Sequence, residues 1–378
     1  MKVLFTGAHF TPAIAVIEEL KKYPDVNIVY VGRRSTQEGD SSPSQESQIV
    51  PRLGVKFIPI IAGRLQREFT IYTIPSLLKI PIGIIQAFFI TLKEKPDVIL
   101  SFGGYVAVPT VIVGWLFSVP IIVHEQTLVS GLANKITSLF ADKIALSFRG
   151  GNEADNKNTF VSGNPIRSIV THPDGNLGGY YKIFNVARGE KLPVILIGGG
   201  NQGSHIINET IETCVEKLTK IACIIHVTGD NKFSDFERLR DLGEYGERYL
   251  VKKWIGEEYG AILQKVDLVV SRAGANTLTE LAYMGKPALV IPIPYLYQDE
   301  QNKNAKYFGK LGLVKILPQS RLSGKSLVEN IKLMLNDPSF VRGGLNHFKK
   351  KAKKVKKFII PDASKRLALE TILLGKTV

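Results

Sequence analysis

With 378 residues the chain is long enough for two α/β domains, each with its own core, and its two cysteines offer neither a zinc spacing nor a disulfide framework. That cysteine usage points to a reducing compartment, the cytosol. The formal charge of +15 implies attraction to something acidic; no RNA-recognition aromatic motif, zinc finger or basic zipper accompanies it, so a nucleic-acid partner is not expected and an anionic membrane face or a phosphorylated substrate is.

The chain enters a strand directly, with no charged leader, apolar core and small-residue cleavage site. Val3 to Thr6 reads as a strand, Pro12 to Lys22 as a helix, and Val26 to Val31 and Val55 to Ile61 as strands. The crossover that follows is largely helical, Pro75 to Lys93. Strands are predicted at Asp97 to Ser101, Ile121 to His124 and Lys143 to Ser147, with helices at Val108 to Phe117 and Leu132 to Phe140. A polar stretch to Thr159 and the turn Ser162-Gly163-Asn164-Pro165 read as an insertion and a connector. A second series then begins, with strands at Val194 to Ile197, Ile221 to Val227, Tyr249 to Lys253, Leu268 to Val270, Ala288 to Ile291 and Leu313 to Leu317. The fold class expected is α/β: two doubly wound, Rossmann-like parallel-sheet domains facing an interdomain cleft.

Ile71 to Leu92 is the most apolar stretch, but Pro75, Lys79 and Pro81 interrupt it and leave about a dozen unbroken residues, too few to span a bilayer. A buried or half-buried helix is expected there. Flanking Arg64, Arg67, Lys79, Lys93 and Lys95 keep peripheral membrane contact as the alternative. The run from Lys349 to Lys357 reads as a solvated basic face.

Thr6-Gly7-Ala8-His9 closes the first strand ahead of a helix with an early proline. An imidazole there can accept a proton from a hydroxyl, or can merely hydrogen-bond the turn. Ser101-Phe102-Gly103-Gly104-Tyr105 and His124-Glu125-Gln126-Thr127 close two further strands and should converge on the same crevice, which makes Glu125 a second candidate base.

Gly198-Gly199-Gly200-Asn201-Gln202-Gly203 satisfies a dinucleotide glycine pattern between strand and helix, yet the acid that such a site wants arrives late, at Asp230. Ser323-Gly324-Lys325-Ser326 lacks the first glycine of a phosphate loop and reads as a helix start capped by Ser323. The segment from Asp267 to Asn304 is the most informative. Its strand, small-residue turn and helix offer free amides and a positive dipole end to a phosphate, and Glu280, further along the helix, can accept from vicinal sugar hydroxyls. An ordinary crossover with a solvated Glu280 is the duller reading. Nothing in the spacing of His, Cys, Asp and Glu suggests an obligate metal, and no cofactor is expected.

In order, GAHFTPA, GGYVAVP, HEQ, GLANK, GNPIR, GGNQGS, RAGANTLTE, GKPALVIP, QNKNA and PDASKR make the chain similar to the MurG family of peptidoglycan N-acetylglucosaminyltransferases, two-domain enzymes of GT-B fold. The resemblance implies inverting transfer of GlcNAc from UDP-GlcNAc to a polyprenyl-diphosphate-linked muramyl-peptide, at the cytoplasmic face of the cell membrane and with peripheral attachment. It implies an acceptor domain spanning 1–161, with helix 362–378 packing back on it, and a donor domain spanning 162–361. His9 and Glu125 are the catalytic candidates. Thr6, Gly7, Gly103, Gly104, Tyr105, Gln126, Thr127 and Asn134 would meet the acceptor. For the donor, Ile255 would meet uracil and Glu280 the ribose; Asn201, Gln202, Gly274, Ala275 and Asn276 would meet the diphosphate, Gln301 and Asn304 the sugar hydroxyls, and Arg167 would approach the nucleotide. The chain departs from the family pattern at the first glycine loop, shortened from Gly-Gly-Thr-Gly-Gly-His, at Thr127, where asparagine is usual, and at Asn201, where serine is. A transferase acting on diacylglycerol, a nucleotide-sugar epimerase and a non-catalytic membrane scaffold are the rival readings.

Overall fold

The computed structural model describes residues 1–35, 44–63, 73–149, 158–200, 203–240, 243–312, 314–336 and 359–377. Asn201, Gln202, Arg64, Arg67, Leu313 and the basic run 349–357 lie outside them. The chain forms two units, one of residues 1–167 with 360–378 and the other of residues 168–359.

The first unit holds seven parallel strands: β1 (Lys2–Thr6), β2 (Asn27–Gly32), β3 (Lys56–Pro59), β4 (Val98–Ser101), β5 (Ile121–Glu125), β6 (Lys143–Leu146) and β7 (Thr159–Val161), in the spatial order β3-β2-β1-β4-β5-β6-β7. Its helices are α1 (Phe10–Leu20), α2 (Gln45–Arg52), α3 (Thr73–Glu94), α4 (Ala107–Leu116) and α5 (Leu132–Ser138), with the C-terminal helix Ala363–Lys376 packed beside α1. Alternation along β1 explains why its apolar run is unbroken, since successive side chains point to opposite faces and both faces are covered. Val3 and Phe5 join Leu100, Phe102, α1 residues Ala13 and Ile17, and Leu367 of the C-terminal helix. Leu4 points the other way, to Ile99, Val123, Ala87 of α3 and Val111 of α4.

Two expectations change here. The three residues of β7, between the polar stretch and the connector turn, pair with β6, Ile144 opposite Thr159 and Ala145 opposite Phe160, and form a sheet edge where no strand was expected. Proline does not divide the apolar crossover either, because α3 runs for 22 residues through Pro81. A proline removes one backbone donor and crowds the preceding turn, and packing offsets this cost. Gln86 accepts from the Ile61 amide at 2.8 Å, and Gly83 lets that chain approach so closely that a Cβ there would stand 2.4 Å from the Ile61 carbonyl oxygen. No described helix is long and apolar enough to cross a membrane. Nor is α3 simply buried: Leu78 (65%), Ile85 (58%) and Phe89 (63%) face outward, as does Leu116 (63%) of α4. Phe88 joins these surfaces, edge-on to Phe89 at 5.6 Å and to Phe117 at 5.2 Å.

The second unit opens with α6 (Ser168–Thr171) and α7 (Tyr181–Glu190) and holds six parallel strands: β8 (Val194–Gly198), β9 (Cys223–Val227), β10 (Tyr249–Lys252), β11 (Leu268–Ser271), β12 (Ala288–Val290) and β13 (Val314–Ile316), ordered β10-β9-β8-β11-β12-β13. Between and after them lie α8 (His205–Glu212), α9 (Val215–Thr219), α10 (Asp235–Arg240), α11 (Tyr259–Lys265), α12 (Ala275–Met284), α13 (Glu300–Gly309) and α14 (Gly324–Asn336). One core face sets Ile195, Ile197, Leu268, Val270 and Leu289 against α8 and α14. Ser323 caps α14, its Oγ accepting from the Ser326 amide at 3.2 Å. In each sheet the chain reverses direction of growth beside its first strand, between β1 and β4 and between β8 and β11. Connections diverge to opposite faces at such a point and open a crevice at the carboxyl ends of the strands.

Candidate active site

In the first unit the loops after β1 and β4 are laced together at this crevice. Phe102 N donates to Thr6 O at 2.7 Å and Ala8 N to Gly103 O at 2.8 Å. Gly7 has a φ of +138°, and a Cβ on it would lie 2.7 Å from the Phe102 carbonyl carbon; a Cβ on Gly104, at φ +79°, would lie 2.7 Å from that of Ala8. Only glycine allows this contact. Beneath it, the Tyr30 hydroxyl donates to Gly7 O at 3.0 Å.

His9 ends the loop as the residue before α1 and makes no side-chain cap. Burial and then the Arg33 cation lower its pKa to about 4, so the ring is neutral at physiological pH. His124 is likewise held at about 4 by burial, with His9 contributing. Its Nε2 faces Gly163 O at 3.3 Å and Ser147 Oγ at 3.2 Å, while its ring lies 5.3 Å from that of Phe102.

Glu125, at the end of β5, is buried and held by its neighbours. Thr127 N donates to Oε1 at 3.0 Å and Asn134 Nδ2 to Oε2 at 2.7 Å. The Thr127 hydroxyl lies 2.8 Å from Oε1 and 2.7 Å from Val129 O, between which its proton is shared. Asn134 belongs to α5 and Tyr105 follows Gly104, so the proposed acceptor residues Thr6, Gly7, Gly103, Gly104, Tyr105, Gln126, Thr127 and Asn134 gather at the ends of three adjacent strands. Thr6 Oγ1, His124 Nδ1, Gln126 Oε1 and Asn134 Oδ1 are buried there and find no hydrogen-bond partner within the protein. A buried polar atom left so costs about 1 to 3 kcal/mol, which a polar ligand can recover.

The second unit repeats the scheme. After β8, Gly200 and Gly203 have φ of +87° and +75°, and a Cβ on Gly203 would collide with Thr228 O. After β11, Gly274 precedes α12 and no acidic residue lies in the helix's first turn, so no carboxylate of that turn offsets the positive end that Ala275 and Asn276 begin. Two side chains of α13 pin this turn. Gln301 Oε1 accepts from Ala273 N at 3.2 Å and Ile293 N at 3.0 Å, and Asn304 Nδ2 donates to Ala273 O at 3.2 Å. What remains to offer a ligand is complementary, the Nε2 donor of Gln301 and the Oδ1 acceptor of Asn304. Glu280 is 3% exposed on α12, not solvated. Ile255 is half-buried in the loop after β10, and Arg167, half-buried, is where the chain leaves the first unit for the second.

Three features escape sequence reading. Arg272 is a buried clamp, donating to Ser204 Oγ (3.1 Å), Ile291 O (3.0 Å) and Gln319 Oε1 (2.8 Å), and so ties the loop after β11 to those after β8, β12 and β13. Asp235 accepts from Asn208 at 2.7 Å, Asn231 at 3.0 Å and Arg238 at 2.9 Å, fixing α8 against α10. Arg33 meets Glu46 at 3.0 Å beside His9. Arg33 and Arg272 directly follow strands, which is the signal the chain carries for them; Asp235, at the start of α10, carries none. Asp230, the acid a dinucleotide site would use, is paired with Lys253 at 3.3 Å.

Comparison with known proteins covers both units. Residues 5–146 match the glycosyltransferase family 28 N-terminal domain and residues 194–367 the glycosyltransferase family 28 C-terminal domain. The UDP-N-acetylglucosamine--N-acetylmuramyl-(pentapeptide) pyrophosphoryl-undecaprenol N-acetylglucosamine transferase of Bacillus cytotoxicus is 33% identical over 367 residues, 96% of this chain and 95% of that protein. The protein of the same name from Clostridium kluyveri is 33% identical over 88% of this chain and 90% of its own length. Among solved structures, Acinetobacter baumannii MurG superposes with a TM-score of 0.67 at 21% identity, covering 98% of this chain and 99% of that one. UDP-GlcNAc 2-epimerase from Neisseria meningitidis, at 16% identity and TM-score 0.62 over 99% of this chain and 100% of that one, shares the fold.

Proposed function

Because the chain belongs to glycosyltransferase family 28 through both of its domains, we propose that it transfers GlcNAc from UDP-GlcNAc to a muramyl-peptide borne on a polyprenyl diphosphate. The observation that carries the reading is the 33% identity over 96% of the chain with a transferase so named, because likeness that continuous includes the strand-end loops of both units.

In this reading the second unit holds the donor. The amides opening α12 meet the diphosphate, Glu280 accepts from the ribose hydroxyls, and Gln301 and Asn304 address the sugar with their one free donor and one free acceptor. The first unit takes the acceptor. Neutral His9 accepts the proton of the attacking hydroxyl as its oxygen bonds to the anomeric carbon from the face opposite UDP; the bond to the diphosphate breaks, and UDP leaves with the electron pair. Donors already aimed at the diphosphate stabilise the charge that develops on it. Glu125, already gripped by Thr127 and Asn134, is better suited to ordering the loop after β5 than to taking a proton.

A lipid-linked acceptor resides in a membrane, and the exposed apolar surface of α3 and α4 suits peripheral attachment there. Lys93 and Lys95 are exposed at the end of α3 and add electrostatic attraction to an anionic surface.

Incubation of the purified protein with labelled UDP-GlcNAc and three partners in turn tests the assignment: the muramyl-peptide lipid, diacylglycerol, and no acceptor. Label should enter the muramyl-peptide lipid alone. Transfer to diacylglycerol, or epimerisation of UDP-GlcNAc without lipid, would overturn it.

A further inference from the structure

Three neighbouring strand ends bring Arg33, His9 and Tyr105 to one place, since β2, β1 and β4 are adjacent in the sheet. Arg33 follows the last residue of β2. Its Nε donates to Glu46 Oε1 at 3.0 Å, and the Tyr105 hydroxyl beyond β4 is close enough to interact with the guanidinium across the end of β1. Glu46 lies behind it: the carboxylate side chain is 2% exposed and that of Arg33 22%. The pair therefore presents a cation, not a carboxylate, to whatever occupies the crevice.

Among the described residues, the loop after β1 adds few donors to that crevice. The loop between β1 and α1 is only Gly7, Ala8 and His9, and the Ala8 amide is already spent on Gly103 O. No acidic residue lies in the first turn of α1, an 11-residue helix that starts at the same point, and His9 before it makes no side-chain cap. An anion is favoured there but has few backbone groups to hold it.

We propose that Arg33 binds the diphosphate of the lipid-linked acceptor, supplying from β2 the donors that the short loop after β1 does not. A guanidinium is suited to this because its planar fork can engage two phosphate oxygens at once, and Glu46 fixes its orientation before the ligand arrives. The inference rests on the acceptor role proposed for the first unit.

Kinetics with acceptor and donor varied separately test it in the wild-type protein and in Arg33→Gln, Arg33→Lys and Glu46→Gln, with a melting curve for each. Arg33→Gln should raise the acceptor KM by roughly 10- to 150-fold, the range for losing a hydrogen bond to a charged group, and leave the donor KM unchanged. Arg33→Lys, which keeps the charge but not the fork, should recover part of the loss. Glu46→Gln breaks the tether but spares the cation and should raise the acceptor KM less than Arg33→Gln. An unchanged acceptor KM in Arg33→Gln overturns the inference, as do equal losses in Arg33→Gln and Glu46→Gln that track melting temperature, which would make Arg33 a tether for α2. Absence of wild-type transfer would instead overturn the proposed function, and this inference with it.

Discussion

Asn134 donates from Nδ2 to Oε2 of Glu125 at 2.7 Å, and the other end of the same amide, Oδ1, lies 2.0 Å from where a Cβ on Gly103 would stand. Helix α5, the end of β5 and the loop after β4 are thus locked by one side chain.

Gly103→Ala should break the lock. The residue sits at φ +68°, where a side chain costs about 1 to 2 kcal/mol, and the new methyl must also displace Asn134 and leave the buried Glu125 carboxylate short of a donor, at about 1 to 3 kcal/mol more. Urea unfolding should show the loss, with activity falling alongside. Gly189→Ala, where an added Cβ meets nothing within 4 Å, is the control and should be neutral or stabilising by up to about 1 kcal/mol. Equal midpoints for the two variants would contradict the argument.

Glu280→Ala should weaken binding of both UDP and UDP-GlcNAc by about 1.5 to 3 kcal/mol, since a carboxylate accepting from a ribose contributes to each equally. Calorimetry with UDP alone is the decisive measurement. Unchanged affinity would remove Glu280 from the ribose.

His9→Ala should lower kcat on the order of 10² to 10⁴-fold with donor binding intact. With the folded pKa at about 4, the acid limb of the wild-type rate profile should fall near pH 4, and a limb centred at 6.5 would assign the base elsewhere. Stability should follow the same chemistry. His9 and His124 at about 4 and His226 at about 3 are all depressed from 6.5, chiefly by burial, so the unfolded chain binds protons that the folded one refuses. Their contribution is complete above pH 6.5 and lost as pH falls through 4 and then 3. A melting temperature that rises on acidification through this window would refute the sign.

Membrane attachment should have two separable parts. Replacing Phe89 and Leu116 by serine should reduce vesicle recovery at every ionic strength, because the apolar part is insensitive to salt. The basic part should fade with salt and with neutral lipid, as each cation near an anionic surface adds roughly 1 kcal/mol within a Debye length of about 8 Å. Flotation on neutral and anionic vesicles measures both. Equal recovery on both lipids at every salt concentration would exclude the electrostatic part.

The strands and the glycine turns were readable from local pattern because parallel strands covered on both faces require unbroken apolar runs, and the loops that follow them require residues tolerant of positive φ. Val3 to Thr6 and Leu268 to Val270 announce themselves this way, as do Gly7, Gly103 and Gly104, and family likeness then attached roles to particular side chains. Three-residue β7 carries too little pattern to declare itself, and packing against Ile61 carried α3 past a proline that local rules take as a break. The partners of Arg272 on three separate loops, the grip of Thr127 and Asn134 on Glu125, and the meeting of Arg33 with Tyr105 follow no spacing along the chain. They depend on strand order, which brings remote loops to one sheet edge, and on burial, which there makes a hydrogen-bond partner a necessity.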